Sequence, residues 1–187
     1  MYSVKLMVQE HENILKLLAV IQKACCDILD GKEVNTGDFR DMIAFARNYA
    51  DKHHHGKEEQ ILFQEMTEHL GDIGVNLIQY GMLVEHDLGR LHISELEKAL
   101  DQYEKNPLTG FKLNILTEAM GYANLLQRHI DKENQVVYTY AEKNLSPDIL
   151  RSVDQRVKAF EEEADKNKVQ NTYLDLLKAL QNKYFKN

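Results

Sequence analysis

Two segments of the chain carry histidine and glutamate at the same spacing. Residues 54–63 read HHGKEEQILF and residues 129–138 read HIDKENQVVY. Both fit the pattern His-x-x-x-Glu-x-x-(Ile/Val)-(Leu/Val)-(Phe/Tyr), which pairs His54 with Glu58 and His129 with Glu133. Residues four apart lie one turn apart on the same face of a helix, so each pair can bind one metal ion or two adjacent ions. The two segments therefore indicate a metal site.

Two further histidines, His11 and His86, lie in the apolar stripes of predicted helices. A single histidine on an apolar face is most often a hydrogen-bonded core residue. Four such histidines buried with two carboxylates would cost many kcal/mol unless a cation compensated them. We therefore expect a shared metal site. The candidate ligands are His11, His54, Glu58, His86, His129 and Glu133.

The number and type of these side chains favour two metal ions. Four imidazoles and two carboxylates are too many ligands for one tetrahedral zinc ion, and they contain too much nitrogen for calcium or magnesium. If both carboxylates and one oxygen bridge two octahedral ions, about two coordination positions stay open. On iron, open positions would accept dioxygen or peroxide. The ligand types alone do not separate iron from manganese or zinc.

The elements that must position these residues are helices, and the chain is predicted to be all-α. Apolar periodicity and turn residues predict four long helices: 3–29, a second that begins near Thr36 or Asp38 as N-cap, about 73–104 and about 110–144. Short connections favour an up-down-up-down four-helix bundle over residues 1–145. Two additional C-terminal helices, 147–166 and 169–185, are predicted within an extension, 146–187, packed on the same domain. This extension would add cover or an interface, such as that of a homodimer.

Composition excludes several kinds of partner. The chain has 23 basic and 30 acidic residues and a net charge of -7, and it lacks the basic clusters that nucleic acids or anionic membranes require. Cys25 and Cys26 are adjacent and form no disulfide framework. The N-terminus resembles no secretory signal, and no run of residues is long and apolar enough to span a membrane. We expect a soluble cytoplasmic protein.

Four motifs of the chain resemble those of the hemerythrin-like (HHE cation-binding) proteins, which are four-helix bundles with a non-haem di-iron centre. The motifs are EHENIL at 10–15, HHGKEEQILF at 54–63, VEHDLGR at 84–90 and HIDKENQVVY at 129–138. The resemblance covers residues 1 to about 145. It implies that the six candidate ligands hold two non-haem iron ions with a bridging oxo or hydroxo group.

The chain departs from the oxygen-carrying members of that family at two positions. They place a second histidine one turn after the third-helix ligand, where this chain has Arg90, and an aspartate where it has Glu133. These departures look more like the bacterial branch of the family, which is associated with oxygen or redox sensing, peroxide or nitric oxide chemistry and iron handling.

The resemblance implies a protein that binds O2 or peroxide and reduces it, cycling between diferrous and diferric states with an oxygen bridge and an unidentified electron donor. A possible di-iron peroxide or oxygen reductase is therefore one expectation. The alternative is a sensor or binding module without turnover, in which the C-terminal helices relay metal occupancy or oxidation to a partner. A metal-free helical interaction protein is a third interpretation.

Several residues near the candidate ligands have both a functional and a purely structural interpretation. Tyr122 could donate a hydrogen bond to a bound oxygen species or act as a radical sink, or it could be an ordinary core residue. Glu65 and Glu118 could support the ligands or lie on a solvated rim. His53 and His55 are expected at the surface or beside the ligands, and an additional ligand role is left open for either one. The remaining predictions place His69 and His92 at the surface and Cys25 in the core, and leave a redox role open for Cys26.

Overall fold

Six helical rods make up residues 1–185, which are the residues described by the computed structural model. The first rod, α1, is Tyr2–Leu29. Rod α2 covers 36–69 and comprises Thr36–Phe45, Ala46–His55, Glu58–Leu62 and Phe63–His69. Rod α3 covers 71–105 and comprises Gly71–Leu77, Ile78–Met82 and Leu83–Lys105. Rod α4 covers 109–144 and comprises Thr109–Lys132, Glu133–Val137 and Tyr138–Asn144. The last two rods are α5, Pro147–Lys166, and α6, Val169–Phe185.

This architecture confirms the all-α prediction and the bundle with additional C-terminal helices, and residues 1–185 contain no strand. The predicted N-caps of α2 are wrong. Asn35 is the cap: its side-chain oxygen accepts a hydrogen bond from the Asp38 amide at 3.1 Å, which places Thr36 inside the first turn. The helix α5 begins at Pro147, which agrees with the predicted range 147–166, and the side chain of Ser146 caps it. The predicted extension continues to residue 187, and residues 186–187 lie outside the described residues.

Four stretches of these rods are π-helical. They are Ala46–His55, Glu58–Leu62, Ile78–Met82 and Glu133–Val137. A π-helix accommodates more residues per turn than an α-helix, and short π segments are frequent at functional sites. In both matching sequence segments a π stretch begins at the glutamate, Glu58 or Glu133. The two similar sequences therefore have the same backbone conformation from the glutamate onward.

The apolar core lies on both sides of a buried polar layer. Along α1, Met7 belongs to one apolar cluster and Ile14 to the other, and His11 lies between them. The C-terminal helices contribute to both clusters, α5 through Val153 and Val157, and α6 through two leucines. These two helices therefore pack on the bundle along the side formed by α1 and α2. Within residues 1–185, no helix combines the length and the apolar character needed to cross a membrane.

Candidate metal centre

Five imidazoles and two carboxylates converge in the buried layer between the apolar clusters. All six predicted ligands are among them, and His55 is the seventh residue. They form two groups, and within each group the candidate ligand atoms lie within 4.8 Å of one another. The first group is His11, His54, Glu58 and Glu133, and the second is His55, His86 and His129. Each of the seven residues is at most 4% exposed.

The two carboxylates connect the two groups. Glu133 has one oxygen 3.2 Å from Nε2 of His11 and the other 3.1 Å from Nε2 of His129. Oε2 of Glu58 is 3.6 Å from Nε2 of His54 and 3.6 Å from Nε2 of His86. Both carboxylates therefore lie where they could bridge two ions.

Each imidazole has its Nδ1 directed toward a polar side chain outside the cluster. In metal sites, a histidine ligand usually donates its second ring N–H to such a partner, which fixes its tautomer and orientation. The pairs are His11 with Asn134 at 2.8 Å, His54 with Glu10 at 2.9 Å, His86 with Glu59 at 2.6 Å, His129 with Glu85 at 3.0 Å and, more loosely, His55 with Asp51 at 3.5 Å. The Nε2 atoms of these histidines are therefore free to bind a metal ion.

Most of the buried polar atoms that have no hydrogen-bond partner belong to this cluster. Within the described part of the chain, they include Nε2 of His54, both nitrogens of His55, Oε2 of Glu58 and both oxygens of Glu133. Each unsatisfied buried group costs about 1–3 kcal/mol. Nε2 of His86 lies 3.1 Å from Nε2 of His129, so these two nitrogens also face one another. Metal cations would satisfy the lone pairs of the carboxylates and of the Nε2 atoms, so the residues fit a metal centre.

Burial and neighbouring charges shift the pKa values of several candidate ligands. Burial and the charge of Glu133 raise the pKa of Glu58 well above its ordinary value. Burial also opposes the ionisation of Glu133, but the charge of His129 and the imidazole contacts outweigh it and hold the pKa of Glu133 well below its ordinary value. Burial and the charge of His11 lower the pKa of His54 to about 4. A neutral imidazole is the form that binds a metal.

His55 is a candidate ligand that the helical pattern did not identify. On a regular α-helix it would lie to one side of the face that carries His54. The π-helical backbone of Ala46–His55 changes the angles between successive side chains. His55 is buried, and its ring stacks on that of His86 with a centroid distance of 3.8 Å. His53 is also buried, so of the two expected locations the surface is excluded, and both histidines lie beside the candidate ligands. His53 is in neither ligand group; its Nε2 lies 3.1 Å from Glu10.

Arg90 stands where the resemblance places a second histidine on the third helix. Its guanidinium donates to Asp51 at 2.7 Å and to Glu59 at 2.6 Å. These carboxylates are the outer partners of His55 and His86. Arg90 therefore supports two candidate ligands from outside, and His55 supplies the third imidazole of its group from α2.

Two tyrosines lie near the centre, in different roles. Tyr122, which the sequence singled out, lines a cavity of ≈ 90 Å³ together with His55 and His86. Tyr138 contacts the candidate ligands directly: its hydroxyl donates to Glu58 and lies 3.5 Å from Nε2 of His11. Sequence reasoning missed Tyr138, although it ends the second matching segment at the position where the first has phenylalanine.

The other residues considered from the sequence lie outside the two ligand groups. Glu65 accepts a hydrogen bond from Arg156 at 2.7 Å, and Glu118 pairs with the half-buried His92 at 2.7 Å. His69 is exposed. Cys25 is buried, as predicted, and burial raises the pKa of its thiol to about 12. Cys26 is exposed.

A second polar cluster adjoins the first and includes a residue of the C-terminal helices. Glu10, His53 and Glu161 surround Nζ of Lys57, whose side chain is fully buried. Glu10 also accepts from His54, so the cluster touches a candidate ligand. The Lys57 ammonium already supplies the positive charge here, and the carboxylates are paired with it.

Residues 3–141 match the profile of a protein family, Hemerythrin, described as the hemerythrin HHE cation binding domain. The matched range contains all seven residues of the two ligand groups and ends within α4. Comparisons with curated proteins and with solved structures give no match.

Proposed function

The chain belongs to the hemerythrin HHE cation-binding family, and from that premise we propose that it holds two iron ions and uses them to bind and reduce dioxygen or peroxide. The observation that carries the proposal is the pair of ligand groups joined by Glu58 and Glu133. Two groups that share two carboxylates are suited to two ions rather than one.

The proposed assignment gives the two ions different surroundings. One ion would be held by His55, His86 and His129, and the other by His11 and His54, with the two glutamates between them. Five nitrogen and two carboxylate ligands suit iron better than calcium or magnesium. When bound, iron would supply one-electron redox chemistry and a coordination position for O2 or peroxide. The position with two imidazoles has fewer protein ligands and is the one we propose to be open.

The surrounding side chains would hold the ligands in place. The carboxylates of Glu10, Glu59 and Glu85 accept from Nδ1 of three histidines and keep each Nε2 directed inward. Such partners orient a ligand and increase its basicity. The apolar clusters on either side exclude water from the layer.

Tyr138 is positioned to hold a proton beside the proposed open position. Its hydroxyl donates to Glu58 and lies close to Nε2 of His11. Burial and the charge of Glu58 raise the pKa of Tyr138 well above its ordinary value, so the hydroxyl stays protonated. We propose that Tyr138 turns this proton from Glu58 to a small oxidant when one is bound. We propose Tyr122 as a wall of the cavity beside His55 and His86, from which the oxidant would pass the three-imidazole group to reach the open position.

Metal analysis combined with absorption spectroscopy tests this function. Protein purified without air should contain about two iron ions per chain, and exposure to O2 should produce a near-ultraviolet charge-transfer band. Repeated consumption of O2 or peroxide with an added electron donor would support turnover. One zinc ion per chain with no such band would contradict the proposal.

A sensor without turnover is the second candidate, and one set of contacts favours it. Glu161 of α5 bonds Lys57, Lys57 bonds Glu10, and Glu10 accepts from His54. The C-terminal helices thus connect to a candidate ligand through charged groups. Stoichiometric, reversible oxidation that changes the oligomeric state would favour the sensor over the enzyme.

A further inference from the structure

The outer face of α3 carries a stripe of large apolar side chains that are open to solvent. They are 44% to 73% exposed, and they are Tyr80, Val84, Leu88 and Leu91. Residues three and four apart share one face of an α-helix. Tyr80 joins this face because Ile78–Met82 is π-helical, and the additional residues per turn bring Tyr80 nearly into line with Val84. Exposed apolar surface of this kind marks an interaction site.

The corresponding face of α1 is polar. The residues 75 positions before the stripe are Lys5, Gln9, Asn13 and Lys16. His11 and His86 are related by the same separation, and both are buried candidate ligands, so α1 and α3 turn corresponding faces toward the core. Packing within the bundle therefore does not require apolar residues on the outer face. The stripe on α3 indicates a contact that α1 does not make.

Helix α4 runs antiparallel beside α3 and widens this face. Nδ1 of His129 lies 3.0 Å from Glu85, and Nδ1 of His92 lies 2.7 Å from Glu118. These contacts place the middle of the stripe, between residues 85 and 86, level with about residue 129 of α4. We call the outer side of these two helices the α3–α4 face.

The stripe is self-complementary when two copies of α3 run antiparallel. A two-fold axis between residues 85 and 86 places Tyr80 of one copy opposite Leu91 of the other, and Val84 opposite Leu88. Each apolar side chain then meets an apolar side chain, and every contact occurs twice. This is the geometry of an isologous interface.

The charges on the α3–α4 face are complementary in the same arrangement. The exposed Arg128 and Asp131 lie on either side of the level of the axis, and neither has a charged partner among the described residues. The axis brings Arg128 of one copy to Asp131 of the other. Asp72 and Lys98, which lie 13 positions before and after residue 85, also meet. Lys98 contacts Glu95 of its own chain as well.

The α3–α4 face is large enough for a stable dimer. Residues 72–98 of a helix span about 39 Å, and two helices are about 20 Å wide, which gives about 800 Å², the area that each partner of a typical interface buries. A second copy would also cover Lys132, which is 51% exposed, as α5 covers its counterpart Lys57 in the first half.

We propose that two copies of this chain associate through the α3–α4 face, with their α3 helices antiparallel, rather than through the C-terminal helices. The contact uses surface residues and no candidate metal ligand. The proposal can therefore fail or succeed separately from the proposed iron chemistry.

Sedimentation equilibrium of the full chain tests the association. We expect a mass of twice the 21.7 kDa of one chain, with a Kd for dissociation of the dimer below about 10 μM. Leu88→Glu places a charge in the middle of the stripe and should raise this Kd by about 30-fold or more. Leu29→Glu, at an exposed apolar position at the end of α1, is the matched control and should leave the Kd unchanged. Circular dichroism checks that both variants keep their helices.

Exchange of charges tests the direction of pairing. Arg128→Asp brings like charges together twice across the axis and should raise the Kd by about tenfold. The double variant Arg128→Asp with Asp131→Arg restores opposite charges and should recover most of the affinity. Lys178→Asp, at an exposed position on α6, changes the net charge by the same amount and should have little effect.

Three results would overturn the proposal. A monomer at concentrations up to about 100 μM would exclude the dimer. Equal Kd values for Leu88→Glu and Leu29→Glu would show that any association uses another face. Failure of the double variant to recover affinity lost in Arg128→Asp would exclude the antiparallel arrangement.

Discussion

The bundle consists of two halves, α1 with α2 and α3 with α4, and the residues of the candidate centre correspond between them. Each pair is separated by the same 75 positions in the sequence. The pairs are Glu10 and Glu85, His11 and His86, His54 and His129, Lys57 and Lys132, Glu58 and Glu133, Glu59 and Asn134, and Phe63 and Tyr138. The constant separation shows that one arrangement of residues occurs twice.

The contacts also repeat. Glu10 accepts from His54 and from Lys57, and Glu85 accepts from their counterparts in α4. The ring of Tyr138 stacks on His11 with a centroid distance of 5.6 Å, and that of Phe63 on His86 at 5.8 Å. Each half thus supplies the same frame for two histidines and one glutamate.

The halves differ at a few positions, and these differences make the two proposed metal positions unequal. His55 in the first half corresponds to Ile130 in the second, so only one group receives a third imidazole. The tyrosine hydroxyl occurs only at 138. Lys57 is fully buried under α5, whereas the side chain of Lys132 is 51% exposed. The contacts that repeat in both halves position the ligands. The residues that differ between the halves would set the chemistry of each proposed metal position.

The largest effect on metal content should follow from removing the charge of Glu133, a carboxylate that faces both ligand groups. Glu133→Gln keeps the shape of the side chain but removes the charge that faces both ligand groups. We expect the metal content after anaerobic loading with ferrous iron to fall from about two ions per chain to below one. Elemental analysis measures this, with Glu118→Gln as the control. Two retained ions would contradict the bridging role.

Making the halves more alike at position 55 should remove one ion. His55→Ile introduces the residue that the second half has at 130, and it deletes one imidazole of the three-histidine group. The metal content should fall to about one ion per chain while the helicity is retained. The exposed His69→Ala serves as control in the same elemental analysis. An unchanged metal content would exclude His55 as a ligand.

Removing the contact that α5 makes with the first half should weaken metal binding without abolishing it. Glu161→Gln takes one carboxylate from Lys57, which then holds Glu10 and His54 less firmly. Glu161 reaches His54 only through Lys57 and Glu10, so its loss should cost about threefold in metal affinity, less than the roughly 10- to 100-fold typical for loss of a direct ligand partner. Competition with a chelator measures the change, and the adjacent Glu162→Gln is the matched control. Equal affinities of the two variants would show that α5 does not act on the centre.

The smallest effect on metal content is expected at the tyrosine. Tyr138→Phe makes the second half match Phe63 and leaves about two ions bound, since no ligand is lost. The substitution removes the donor to Glu58, so the free energy of unfolding of the metal-free protein should fall by about 1–3 kcal/mol. Urea titration measures this, with the half-buried Tyr140→Phe as control. An unchanged unfolding free energy would show that this hydrogen bond contributes nothing.

The helices and most of the candidate centre could be predicted because both depend on local periodicity. A histidine in an apolar stripe, such as His11 or His86, is directed inward wherever the stripe packs. His55 could not be found in this way, because its direction depends on a π-helical backbone that α-helical spacing does not describe. Tyr138 was missed because its partners, Glu58 and His11, come from other helices and are brought to it only by packing.

The asymmetry between the halves extends to a position without a side chain. Gly89 lines the cavity beside His86, whereas the first half has the fully buried Ile14 at the corresponding position. An ion that arrives through this cavity meets the three-imidazole group before the two-imidazole group. If the two proposed ions enter by this route, the first must move on to the farther position before the second can occupy the nearer one.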